Sequence, residues 1–459
     1  MALTQVDKPY SYTRKGQRLY IVYTSDNSYN TGFKFGFELT ELATGKSYQV
    51  FISPDLQGRG VFDMSPLVNL RHQEEPITGF EIHADTCYEV DGNGFKTYDI
   101  EITEWWNVND VFTQNTEGEG ATDNINGLVV TNSYFQPYHG YKPDTISVPN
   151  SCNYGWEVPM NFTYLGVNDT PWYAYSDRTI NTSAWYLRNS QPYVNITAEP
   201  YVVTIFCRWD DLGCLTFSTS NALTGNALDH IEFTWVEIDG TTFTNTQISL
   251  NADEPLIHFA AYPGSVAAIM PPNTAYYYLI GRDSSSPANR VSAIYLFVNE
   301  ELQGNWNQNC NYKPVRLGWV NSRGGWDYWN FQLKSERTTQ IERKQYNSVL
   351  KTDFDYGFTG TDQPFYAGTR MLTDRSNLNT TSMLVTSDWL SENEFNFLRS
   401  LLTSNQVQII ENQDYETTGC YRVTPVSIEQ TSFVEQKNKD GKLHNLTLNL
   451  KFSQPYWGL

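Results

Sequence analysis

The sequence predicts an all-β, multidomain protein built on antiparallel sheets, with one short helix near its C-terminal end. Three observations lead there. Apolar and polar residues alternate in segments such as Phe33-Lys-Phe-Gly-Phe-Glu-Leu39 and Leu446-Thr-Leu-Asn-Leu-Lys-Phe452, and a period of two belongs to a half-buried strand. Aromatics make up 15% of the chain, with 31 tyrosines leading, a composition suited to pleated rather than helical structure. The 459 residues exceed what one hydrophobic core can organise and suggest about two to four domains.

Residues 1–118 read as the first domain, an antiparallel β-sandwich of immunoglobulin- or fibronectin-like type. Leu19-Tyr-Ile-Val-Tyr23 is an apolar strand, Phe33 to Leu39 alternates with its phenylalanines on one face, and Ser47 to Ile52 returns after the turn Ala43-Thr-Gly-Lys46. Val61-Phe-Asp-Met64 follows, and Ser65-Pro66 suits the opening of a helical turn. Tyr98 to Thr103 adds another strand at the spacing of a sandwich.

Residues 114–128 are small, polar and glycine-rich, the best candidate for a linker or exposed loop. A β-rich middle domain then spans 119–309. Its strands include Tyr201 to Cys207, Tyr276 to Ile280 and Ala293 to Val298. Ile231 to Ile238 alternates and ends in Asp239-Gly240, a strong hairpin signal. Residues 129–200 lack periodicity and read as long loops, which usually carry contacts rather than stability.

The third domain, 310–459, holds the helix, near 391–403. Ser391 and Glu394 fit a capping box, and Leu390 with Phe395 fits a hydrophobic staple. The stretch Arg316 to Leu333 reads as two strands joined by the turn Asn321-Ser-Arg-Gly-Gly325. Its second strand is aromatic on both phases, with Trp326 and Tyr328 on one side and Trp329 and Phe331 on the other, so it belongs between two packed surfaces. A core hairpin is the plain reading. The sharper one makes Trp319, Trp326 or Trp329 an anchor of an assembly interface.

Signals of catalysis are sparse. The six histidines show no ligand spacing, the six cysteines form no C-x-x-C pair, and nucleotide-binding and serine-hydrolase motifs are missing. Asp210-Asp211 and Asp353-Phe-Asp355 could hold Ca²⁺ or serve a glycosidase, but acid pairs in loops are more often solvated turns. The expectation is therefore no enzyme, no cofactor and no metal. A formal net charge of −20 argues against a nucleic-acid grip. The N-terminus lacks a signal-peptide pattern and no run is long enough to span a bilayer, so neither secretion nor a membrane is expected. Cys207 and Cys214 could meet across a short hairpin, but two buried free thiols are the expected state.

One stretch opposes the overall charge: Lys313, Arg316, Arg323, Lys334, Arg337, Arg343, Lys344 and Lys351 crowd residues 313–351. This cluster could mate with an acidic surface on a neighbouring copy, pass near DNA, or keep strand edges from mispairing. Trp319, Arg323, Trp326, Trp329, Arg337, Arg343 and Lys344 are the interface candidates. Exposed Trp105-Trp106, Trp172-Tyr-Ala-Tyr175 and Trp185-Tyr186 leave open a glycan-binding reading.

Three C-terminal stretches carry a resemblance: Leu317 to Lys334; Trp389-Leu-Ser-Glu-Asn-Glu-Phe-Asn-Phe-Leu-Arg-Ser-Leu-Leu-Thr-Ser404 leading into Val407-Gln-Ile-Ile410; and Leu446 to Trp457. They resemble β-rich virion proteins of tailed bacteriophages, notably of crAss-like and marine phages. Phe33 to Phe37, Pro54-Asp55 and Gly60-Val-Phe-Asp-Met-Ser65 are similar to the opening domain of those proteins. The resemblance implies a split-barrel-like C-terminal domain of the tail-hub or distal-tail kind and a β-rich middle insertion pointing outward. It also implies a function as a structural subunit in a tail hub, neck or adaptor ring. Its partners would be further copies of the chain and other virion proteins, with a fibre or tailspike among them. DNA would be met only if the ring lines the channel. Assembly would take place in the host cytoplasm. A capsid-decorating or head-fibre protein and a glycan-binding receptor module are the alternatives.

Overall fold

The computed structural model describes residues 3–9, 12–14, 18–73, 88–90, 95–116, 121–131, 202–217, 228–250, 257–282, 284, 294–299, 313–321, 325–347, 372–390, 392–404, 406–411, 422–429 and 445–453. It is an all-β, multidomain chain, with two helices among the described residues.

The N-terminal part runs β1 (Leu3–Asp7), β2 (Tyr12–Arg14), β3 (Tyr20–Ser25), β4 (Lys34–Glu41), β5 (Lys46–Ile52), β6 (Arg59–Asp63), helix α1 (Ser65–Gln73), β7 (Tyr88–Val90), β8 (Phe95–Val108), β9 (Val111–Gln114) and β10 (Thr122–Thr131). One sheet has the order β1-β3-β6, the other β2-β10-β8-β4-β5, with β9 paired to β8. Alternation decides the packing. Ile21 and Tyr23 from the first sheet meet Phe35, Phe37, Leu39, Tyr98, Ile100 and Ile102 from the second in a closed core. Strands β3, β6, β4, β5, β8 and β10 thus take the places B, E, C, C′, F and G of an immunoglobulin-like sandwich. The stretch expected as a linker departs from that expectation. Residues 122–131 form β10, paired with β8 over Thr122 to Thr131, so the sheet runs past residue 118. Leu128, Val129 and Val130 supply the apolar residues that the flanking glycines obscured.

Helix α1 is longer than the single turn anticipated and is a second helix in the chain. Asp63 Oδ1 accepts bonds from the Ser65 amide (3.0 Å) and hydroxyl (2.6 Å), capping the helix start as a short acid can. The β8–β9 hairpin turns on Asn109 (φ 51°) and Asp110 (φ 63°), the two positive values of a type I′ turn.

The middle part contains β11 (Val202–Cys207), β12 (Cys214–Phe217), β13 (His230–Glu237), β14 (Thr242–Ser249), β15 (Ile257–Ala260), β16 (Thr274–Arg282) and β17 (Ile294–Asn299). A five-stranded sheet, β11-β17-β16-β13-β14, covers a three-stranded one, β12-β15-β7. Between them lie Phe217, Phe233, Trp235, Phe259, Tyr277 and Phe297. The Asp239-Gly240 hairpin forms as expected: Gly240 has φ 86° and Asp239 Oδ1 accepts the Thr241 amide at 2.8 Å. Strand β7 comes from the N-terminal region, yet pairs with β15 through Val90↔Ile257 and Tyr88↔Phe259. The long loops expected over 129–200 lie outside the described residues, apart from the end of β10.

The C-terminal part has β18 (Val315–Val320), β19 (Trp326–Phe331), β20 (Ser335–Asn347), β21 (Leu372–Thr386), helix α2 (Glu392–Thr403), β22 (Val407–Glu411), β23 (Arg422–Ile428) and β24 (Thr447–Phe452). Over the part expected as a split-barrel-like domain, the described residues form a seven-stranded sheet, β19-β18-β22-β23-β24-β21-β20, with β19 and β20 at the ends of that order. Helix α2 starts beside Ser391 and buries Phe395, Phe397, Leu398 and Leu401 against Leu317, Trp319, Val385, Ile409 and Leu448.

The β18–β19 hairpin belongs to two cores at once. Val320, Trp326 and Tyr328 pack into the middle domain, while Leu317, Trp319, Trp329 and Phe331 pack with α2. Gly318 makes the close fit possible, since a Cβ there would lie 2.8 Å from Ile410 Cδ1 and 3.0 Å from Tyr328 Cε1. The middle and C-terminal parts therefore share one wall.

Candidate functional site

Two of the three aromatic interface candidates, Trp319 and Trp326, are enclosed by this chain. Trp319 is 0% and Trp326 1% exposed. Trp319 lies 5.3 Å from Phe397, and Trp329, half-buried, lies 6.0 Å from the same ring. A ring surrounded by its own chain has no face left for a partner, so Trp319 and Trp326 are wall residues rather than surface anchors. Arg323 lies outside the described residues.

The basic cluster divides in two. Arg316 is buried, and its guanidinium lies against the edge-to-face pair Tyr262 and Tyr328, 4.6 and 4.9 Å from their centroids. Its Nη1 meets Asp211 Oδ2 at 3.1 Å and Asn330 Oδ1 at 3.0 Å, and its Nε donates to the Leu212 carbonyl at 2.7 Å. Asp211 is thereby committed to the wall, and Asp210 pairs with Arg208 at 3.2 Å. Asp353 and Asp355 lie outside the described residues. Among the described residues no group of three or more His, Cys, Asp or Glu is placed to hold a metal. Buried His258 shares a 3.0 Å bond with Thr216, and Cys207 and Cys214 are buried free thiols.

Arg337, Arg343 and Lys344 instead stand on β20, an edge strand paired along its whole length with β21, Ser335↔Val385 to Asn347↔Leu372. Only Ser382 to Thr386 of β21 pair with β24. Among the described residues, β21 from Leu372 to Thr381 pairs with β20 alone, so a two-stranded ribbon projects from the sheet. At about 3.3 Å per residue its 13-residue strand β20 reaches roughly 40 Å. Val385 and Met383 face the core, and Arg337, opposite Met383, lies 4.8 Å from the Phe452 centroid. Thr381, opposite Thr339, is still buried on that face; Ile341 and Arg343 continue the face beyond it, whereas Lys344 lies on the reverse. Ile341 is 52% and Tyr346 49% exposed.

A second surface feature was legible in the sequence only through Trp105. On the outer face of the N-terminal sandwich, Phe51, Trp105 and Phe112 form a three-ring cluster with centroids 5.1 to 5.5 Å apart. Gly36 leaves room for the indole to cross β4, because a Cβ there would sit 2.8 Å from Trp105 Nε1. That nitrogen donates to Thr103 Oγ1 at 3.0 Å, and Lys34 Nζ lies 5.7 Å from the Phe112 centroid. Trp106, the neighbour read with Trp105 as a sugar stack, stacks inward on Phe33. Trp172, Tyr175, Trp185 and Tyr186 lie outside the described residues. The available signal was phase: Phe51 and Gly36 both occupy outward positions where a polar residue is the norm.

No helix among the described residues is long and apolar enough to cross a membrane. No family model matches the chain, and no curated protein matches it. Among solved structures, a tetra-tandem repeat in the extending region of a large adhesion protein aligns at 11% identity over 74% of this chain and 69% of its own, with a TM-score of 0.21. So low a score carries no argument about either fold or function.

Proposed function

We propose that the chain is a structural subunit of a tailed-phage particle, an oligomeric component of a hub, neck or adaptor ring that organises the attachment of other tail parts or fibres. The observation that carries this reading is the ribbon of β20 and β21. A lone two-stranded hairpin is marginal in water, and an exposed edge strand is a template for pairing that monomers usually keep short. Ile341, Arg343 and Tyr346 on such an arm have a use if a neighbour covers them. The resemblance of the C-terminal stretches to virion proteins supplies the setting.

Native mass spectrometry and negative-stain imaging of the purified chain test the proposal, together with a search for it in purified particles. Closed assemblies and presence in particles are expected. A chain that stays monomeric at every concentration and is missing from particles would end this reading.

A further inference from the structure

We infer that the β20–β21 ribbon of one copy docks across the outer face of the next copy's N-terminal sandwich. Ile341 would rest on the Phe51–Trp105–Phe112 rings, and Arg343 would sit between Glu38 and Glu101. The inference rests on the oligomeric reading above and names the surfaces that would make the contact.

Charge points to this occupant. Glu38 and Glu101 are directly opposite each other on β4 and β8. Like charges facing across strands destabilise a sheet, and no ion pair relieves either carboxylate among the described residues. A guanidinium is the group best shaped to bridge two carboxylates, being planar, permanently charged and rich in donors. The face of the ribbon that runs on from the core offers one in Arg343, which makes no ion pair among the described residues.

Spacing agrees. The carboxylate row holds Glu38 and Glu101, and the row two residues along holds Gly36, Thr103 and Phe51, roofed by Trp105. Two residues of strand cover about 7 Å. Ile341 and Arg343 are also two residues apart on one face of β20. An apolar group and a cation thus recur at the separation at which the rings and the paired acids lie. The rings are open to receive it, Phe51 being 39% and Phe112 38% exposed.

Ribbon and platform are different surfaces of the same chain, so the contact is heterologous. Repeated from copy to copy, such a contact closes into a ring when its rotation permits and otherwise grows into a filament. One chain then needs no second protein to define the order of its neighbours.

Charge exchange tests the contact in the full-length protein. Arg343→Glu and Glu101→Arg are each expected to raise the half-assembly concentration, read by mass photometry, by about tenfold or more. The combined variant is expected to return to within about threefold of the parent, because the opposed pair is restored with its signs exchanged. Trp105→Ala is expected to weaken assembly while leaving the urea midpoint of the sandwich near its original value. Assemblies that form normally in both single variants would overturn the docking contact and leave the subunit reading intact; a parent chain that never assembles would overturn both. Saturable binding of maltohexaose or cellohexaose that vanishes in Trp105→Ala, with assembly unchanged, would give the platform to a glycan and also overturn the inference.

Discussion

Arg316 and Asp211 meet at 3.1 Å inside the wall that separates two hydrophobic cores. Asn330 Nδ2 donates to the same carboxylate oxygen at 2.6 Å, and so does the Arg208 amide at 2.9 Å. A buried pair of this kind gives little net stability over an apolar replacement, but removing one partner leaves an uncompensated charge. Arg316→Met is therefore expected to cost about 3–5 kcal/mol. Arg316→Met combined with Asp211→Leu should cost less than the sum of the two single changes. Urea denaturation of the four proteins gives the coupling; strict additivity would mean that the pair contributes nothing as a pair.

Trp326 fills the middle-domain side of the same wall. Trp326→Ala is expected to cost roughly 3–5 kcal/mol, the usual range for emptying a large buried aromatic site. If the stability held while assembly was lost, the ring would have to belong to an interface, against its burial here.

Gly60 lies under the Phe35 ring, where a Cβ would come within 2.3 Å of Cδ2. Phe35 is part of the sandwich core and has no free volume into which to swing. Gly60→Ala should therefore destabilise the protein by about 1–3 kcal/mol through overpacking, seen as a lower urea midpoint at unchanged slope. The open-space Gly127 has no atom within 4 Å of its virtual Cβ but a φ of 69°, so alanine there tests backbone strain alone and is expected to cost about 1 kcal/mol.

Much of the architecture was legible because local patterns coincide with packing. The hairpin from Arg316 to Leu333 declared itself through aromatics on both phases, and the structure places a core on each side. Helix α2 was marked by Ser391, Glu394 and the Leu390–Phe395 pair, which are short-range signals. What escaped is non-local. Strand β7 is only three residues long, and nothing within Tyr88–Val90 says that its partner lies beyond residue 250. Arg316 was counted among surface cations, although its phase with Gly318 and Val320 placed it on a buried face. The platform escaped as a whole because its rings come from β5, β8 and β9 and adjoin only once the sheet has formed.

The buried phenols make stability sensitive to alkali. Burial pushes the Tyr277 and Tyr328 hydroxyls well above the ordinary value of 10.0, and Tyr23, burdened also by its bond to Asp123, is raised too. A phenol raised on folding contributes fully while both states are protonated, below about 10. As pH rises past that value the unfolded chain ionises and the native chain does not, so stability falls. The unfolding free energy should thus decline between pH 9 and pH 11, with both values chosen to straddle roughly 10. Tyr277→Phe gives the decisive comparison. It removes the bond from Tyr277 to the Ala261 carbonyl and should cost about 1 kcal/mol at neutral pH, while making the alkaline decline shallower. An unchanged slope in that variant would show that Tyr277 is not among the groups responsible.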